Sequence, residues 1–158
     1  IPPCALSFAP FTPPQEILMP RHALSFFTLL LAALPAYSAS PQDAQGLWLS
    51  ADRAAVIEFK PCADAATALC GQIVWDKDAG TPEDTCGVRI AKLQKFDGEA
   101  WRQGWVHDPR DKKNYRGAIR VKGDGKVLAV RAYIGTEMLG ETEEMTRTDT
   151  VPSGCKAH

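Results

Sequence analysis

The sequence predicts an all-β fold, a small eight-stranded antiparallel barrel in up-and-down order. Two patterns carry that expectation. From Gly46-Leu47-Trp48 to Met145-Thr146-Arg147 the chain is a succession of short segments of alternating apolar and polar residues. Nearly all of them are joined by connections of hairpin length, which favour neighbouring antiparallel strands. Closing such strands on themselves removes the unpaired edges that would otherwise template aggregation. A barrel is therefore preferred to an open, strongly bent sheet or a sandwich. A barrel of this size has an interior just wide enough for side chains or one small ligand.

The strands are expected near residues 46–50, 54–60, 69–75, 88–96, 100–107, 113–121, 126–133 and 141–148. The first opens on Gly46-Leu47-Trp48. In the second, Val56-Ile57-Glu58-Phe59 alternates so that Glu58 falls on the solvent face, opposite Ile57 and Phe59. The third runs from Leu69 to Trp75. It is followed by the one long connection, residues 76–87, rich in Asp, Gly, Pro and Thr and suited to a short helical turn or a flap. Asp97-Gly98 separates the fourth strand from the fifth, in which Trp101 and Trp105 share a face by parity. The sixth alternates Tyr115, Gly117, Ile119 and Val121 with Asn114, Arg116, Ala118, Arg120 and Lys122, giving one apolar and one charged face. Gly123-Asp124-Gly125 turns it into the seventh, since glycine takes positive φ without steric cost. No repeat, low-complexity tract or second domain is visible.

Upstream of the barrel the sequence reads as export machinery. Met19-Pro20-Arg21-His22 is a short basic region, Ala23 to Leu34 a greasy core, and Pro35-Ala36-Tyr37-Ser38 an end of small residues. Residues 19–38 are therefore expected to be a secretory signal peptide cleaved after Ser38. The apolar core is shorter than the roughly 20 residues a membrane-spanning helix requires, so the protein is not expected to span a membrane by a helix. No cysteine directly follows that core, which argues against a lipid anchor at the cleavage site. Residues 1–18 begin with Ile1, are proline-rich and precede a methionine that opens a complete signal, and they read as upstream sequence translated from a misplaced start.

What remains, residues 39–158, has the length of a single domain. It carries 17 basic and 18 acidic side chains, and this near-neutrality argues against a nucleic-acid surface. Four cysteines remain, Cys62, Cys70, Cys86 and Cys155, an even number in a small exported domain, which reads as two disulfides in an oxidising compartment. Three pairings are possible. Cys62 with Cys70 would staple one hairpin, and Cys86 with Cys155 would tie the long connection to the tail. Zinc is not expected, because there is no Cys-x-x-Cys and the only histidines of this region are His107 and His158. No cofactor is expected either.

Catalytic patterns are weak. His107-Asp108 are neighbours at a strand end that point apart, which suits a turn or capping role better than an acid-base pair. No serine sits in Gly-x-Ser-x-Gly. Arg110, Lys112, Lys113 and Arg116 crowd one hairpin tip and could clamp an anion, but Asp108 and Asp111 offset them and a solvated loop explains them more simply. Trp75, Trp101, Trp105, Tyr115 and Tyr133 could line an apolar pocket, although core packing also accounts for them.

Gly46-Leu47-Trp48, Leu69-Cys70-Gly71-Gln72-Ile73-Val74-Trp75, the Asp108-Pro109 turn followed by Tyr115, and Thr146-Arg147 together resemble the bacterial family called Domain of Unknown Function 2147. The resemblance covers nearly all of residues 39–158. It implies an exported lipocalin-like (calycin-like) barrel. In it the tryptophan of the Gly-x-Trp start, Trp48, packs beneath the barrel against an arginine of the last strand, Arg147, as a structural plug.

Three functions fit: a periplasmic or secreted binding protein for a small hydrophobic or amphipathic ligand, an envelope module whose protein partner docks on the loops around 76–87 and 108–114, or an enzyme using the barrel mouth. A continuous internal void favours the first, a packed interior the second, and buried ionisable groups converging in a cleft the third. The ligand-binding reading, without enzymatic activity, is preferred.

Overall fold

The computed structural model describes residues 38–155, and in them the alternating segments join edge to edge into one closed barrel. The strands are β1 (Gly46–Leu49), β2 (Ala55–Cys62), β3 (Ala65–Asp76), β4 (Arg89–Phe96), β5 (Trp101–Asp108), β6 (Lys113–Lys122), β7 (Val127–Tyr133) and β8 (Glu141–Thr148). Each is antiparallel to the next, and β8 returns to β1. The readings of residues 1–18 and of 19–38, Ser38 apart, fall outside the described residues.

Inward positions build one core. Trp48, Phe59, Leu69, Leu93, Ile119 and Leu128 are its largest fully buried members. Burying a side chain of this kind contributes about 1.5–3 kcal/mol. Outward positions carry charge instead, as in the Glu58–Lys60 pair at 2.5 Å on β2, the Lys122–Glu144 pair at 3.0 Å between β6 and β8, and Arg120 of β6. Among the described residues no helix is long and apolar enough to cross a membrane.

One end of the barrel is closed. Ser40 and Asp43 form a capping box that starts a 3-10 turn over Pro41–Ala44. The turn's carbonyls meet two indoles: Trp48 donates Nε1–H to Ala44 O at 2.9 Å, and Trp101 donates to Pro41 O at 3.1 Å. The Arg147 guanidinium lies over the Trp48 ring, 4.1 Å from its centre. It also donates to Gly125 O (2.7 Å), Gln45 O (2.9 Å) and Asp43 O (2.6 Å). These bonds cross the seam where β1 and β8 close the barrel through only Leu47↔Thr148, Trp48↔Arg147 and Leu49↔Thr146. Gly46 completes the unit. Its φ of +117° disfavours a side chain, and a Cβ there would stand 2.9 Å from Arg147 Nη1. The Gly-x-Trp start and the distant arginine are thus one packed unit.

The strand bounds differ from the sequence reading chiefly in β3, which begins at Ala65 after a two-residue turn, Ala63-Asp64, instead of at Leu69. The Ala65–Ala68 stretch has too little contrast between its two faces to register as a strand. Residues 77–88 form a series of turns with no helix, so the helical alternative for that connection is not adopted.

Two β-bulges matter more. The β2–β3 register passes from Ile57↔Ile73 to Val56↔Trp75, so Val74 is an extra residue on β3. In β5 the register against β6 passes from Trp101↔Ile119 to Trp105↔Arg116, and the extra residue falls at Gln103-Gly104, where Gln103 takes φ +59°. Gly104 is forced there, since a Cβ would come within 1.8 Å of Lys92 O on β4. Each bulge swaps the faces that follow it. Trp101 and Trp105 therefore do not share a face: Trp101 is buried opposite inward Ile119, whereas Trp105 lies between Lys92 and Arg116 on the outer face.

Candidate functional site

The opposite end of the barrel is open. Connections 50–54, 77–88, 109–112 and 134–140 surround a cup of about 1600 Å³ that runs down between the strands. Its floor is apolar, formed by Ile57, Ile73, Ile90, Val106, Val130 and Met145, all buried core residues. The volume is larger than the roughly 300–1,000 Å³ of typical ligand pockets, as expected for a cup open to solvent.

The β3 bulge sets the first polar group of the wall. By uninterrupted alternation Trp75 would face in and Asp76 out. Instead Trp75 is half-buried opposite Val56, and Asp76, only 6% exposed, lines the cup. Its carboxylate accepts from Thr85 N at 2.8 Å, from the Thr85 hydroxyl, and from Asp78 N at 2.9 Å, so it pins the connection 77–88 above the floor. Burial alone would raise its pKa, but these hydrogen bonds outweigh burial and hold it below the ordinary carboxylate value. Cys86 in the same connection is bonded to Cys155, and Cys155 N donates to Val74 O at 3.0 Å.

On the facing wall Arg110 donates from Nε and Nη2 to the two oxygens of Asp108, at 3.0 and 3.1 Å, and lies 3.8 Å from Glu143. The hydrogen bond from Arg110 is the main reason that the Asp108 pKa is lowered. Asp52 is lowered first by its bond from the Ser50 hydroxyl, at 2.6 Å. His107 pairs through Nδ1 with Asn114 at 2.7 Å and Asp108 with Arg110, so the two neighbours serve different partners.

The five aromatic candidates are not brought together. Tyr115 and Tyr133 line the cup, with the Tyr115 hydroxyl donating to Asp111 and the Tyr133 ring 5.5 Å from the Arg116 guanidinium. Trp101 sits at the closed end and Trp75 and Trp105 on the outside. The basic tip disperses as well: Arg116 turns to Tyr133 and Gly135 O, and Arg110 is held by Asp108. Sequence reasoning missed Asp76 and Glu143. The one available signal was Gly104 inside a strand, which marks a bulge in β5; nothing comparable marks Val74.

The second disulfide, Cys62–Cys70, lies away from the mouth and links β2 to β3. Cys62, Asp64 and Cys70 are metal-ligand types in proximity, but the sulfurs are bonded to each other and offer no thiolate. Two disulfides favour an oxidising extracellular or periplasmic environment.

A closed antiparallel up-and-down barrel, plugged at one end and cupped at the other, is a lipocalin-like protein in its architecture. The chain belongs to a bacterial family, DUF2147, described as "Uncharacterized protein conserved in bacteria", which matches residues 46–147. It is similar to a solved structure, protein HP1028 from the human pathogen Helicobacter pylori, described as belonging to the lipocalin family. Identity is 14%, with 66% of this chain and 82% of that one covered and a TM-score of 0.49. No curated protein matches.

Proposed function

We propose that this protein is an exported barrel that holds one small hydrophobic or amphipathic ligand in the cup at its open end. The observation that carries the reading is the continuity of the cup with the apolar floor, which offers a ligand's apolar body a place out of water. Export rests on the leader-like residues 19–38 and agrees with the disulfides. N-terminal sequencing of envelope protein is expected to begin at Ala39; a leader retained on cytoplasmic protein would refute export.

Native mass spectrometry of protein purified from its own envelope is expected to detect an adduct released by organic solvent. Titration with the neutral dye Nile red gives a second readout. Ala132→Trp, which projects bulk into the cup from β7, is expected to weaken dye binding by about 10-fold while leaving the fold intact. A barrel that carries no adduct and takes up no dye would defeat the ligand-binding reading.

A further inference from the structure

We propose that the mouth selects a cationic amphiphile, a molecule with an ammonium or similar head and a single apolar body; this rests on the ligand-binding reading above. Charge is segregated within the molecule. The chain as a whole has a formal net charge of −1. Among the described residues lining the cup, and leaving aside Glu144, which turns outward to Lys122, nine carboxylates face three permanent cations, Lys77, Arg110 and Lys112. Four of the acids come from residues 76–84 and two, Glu141 and Glu143, from β8, so the negative charge surrounds the opening from both sides.

Arg110 is already held bidentately by Asp108, with Glu143 beside it, and so does not offer an anionic head an open partner. A carboxylate or phosphate entering the mouth would be repelled by the excess. An ammonium head would be attracted at the rim while its chain entered the floor. The low-dielectric walls of such a cleft concentrate the field of its charges.

A second feature points independently to an amphiphile. Ile134 and Leu139 line the lip yet are 76% and 81% exposed, and Met138 between them is 87% exposed. The connection that carries them is fastened. Arg131 donates to Glu137 O (2.6 Å) and Met138 O (2.9 Å), Arg116 donates to Gly135 O (3.4 Å), and the Glu137 carboxylate bridges Arg102 and Arg120. The chain thus holds apolar side chains in water beside Glu141 at the lip. A bound apolar chain leaving the cup would cover Ile134 and Leu139.

Calorimetric titration of the disulfide-intact protein compares three probes that share a dodecyl chain: dodecyltrimethylammonium, dodecyl maltoside and dodecanoate, each below its micelle concentration. The cation is expected to bind about 10-fold more tightly than the anion, with the neutral probe between them. The gap should shrink several-fold between about 20 and about 500 mM NaCl. Glu83→Lys with Glu141→Lys, both exposed, should narrow the gap further. Should that double variant misfold, the salt dependence of the unaltered protein still decides. Equal affinity for all three heads, or preference for the anion, would overturn charge selection while leaving the ligand-binding reading intact. Failure of all three probes to bind would overturn both.

Discussion

Arg147→Ala is expected to destabilise the barrel by about 2–3 kcal/mol and Trp48→Ala by about 3–5 kcal/mol. The arginine ties together three pieces of chain that no other group connects so directly: the segment at Asp43 and Gln45, the hairpin at Gly125, and the Trp48 ring. Its guanidinium is exposed, so solvent can replace part of each bond, and the arginine figure is set below the sum of three charged hydrogen bonds. The tryptophan is fully buried, and its removal leaves a cavity under the closing turn together with an unpartnered Ala44 carbonyl. Because the two side chains touch, the double variant should cost less than the sum of the singles by about 0.5–3 kcal/mol in urea unfolding. Nile red bound at the opposite mouth should keep its affinity within a few-fold. Strict additivity would mean that the stacked pair does not act as a unit.

The parts of this molecule legible in its sequence are those governed by local chemistry. Alternation places β6 and β7 to within a residue, and the Asp97-Gly98 and Gly123-Asp124-Gly125 turns fall between strands as glycine's positive φ requires. The site was much less legible, and the reason is parity. A strand read with period two assigns every side chain to a face only if no residue is inserted. One extra residue at Val74 puts Asp76 in the cup and Trp75 outside. Another at Gln103-Gly104 parts Trp105 from Trp101. Two single-residue insertions thus turn an apparent aromatic pocket into an acidic one. The negative rim was hidden for a second reason. Its carboxylates come from four separate connections and strand ends, and the near-neutral total charge averages them away.

Removing the Cys86–Cys155 bridge by paired alanine substitution is expected to cost about 4 kcal/mol, roughly 15 °C in Tm. The bridge spans 69 residues, and loop-closure entropy in the unfolded chain grows with that span. The Cys62–Cys70 bridge spans 8 and should contribute about 2.5 kcal/mol by the same argument, with about 1 kcal/mol more from the buried packing of its sulfurs. Stability alone therefore separates the two bridges only narrowly, and their positions separate them better. Cys86 lies in the connection that Asp76 pins over the cup and that supplies three of the rim's carboxylates, whereas Cys62–Cys70 joins β2 and β3 away from the mouth. Loss of the first bridge should weaken Nile red binding by several-fold and reduce the preference for a cationic head. Loss of the second should leave both unchanged in protein that remains folded. If the two double variants affected the mouth equally, the Cys86 bridge would be a staple of the fold alone, and the wall it fastens would have no part in holding the ligand.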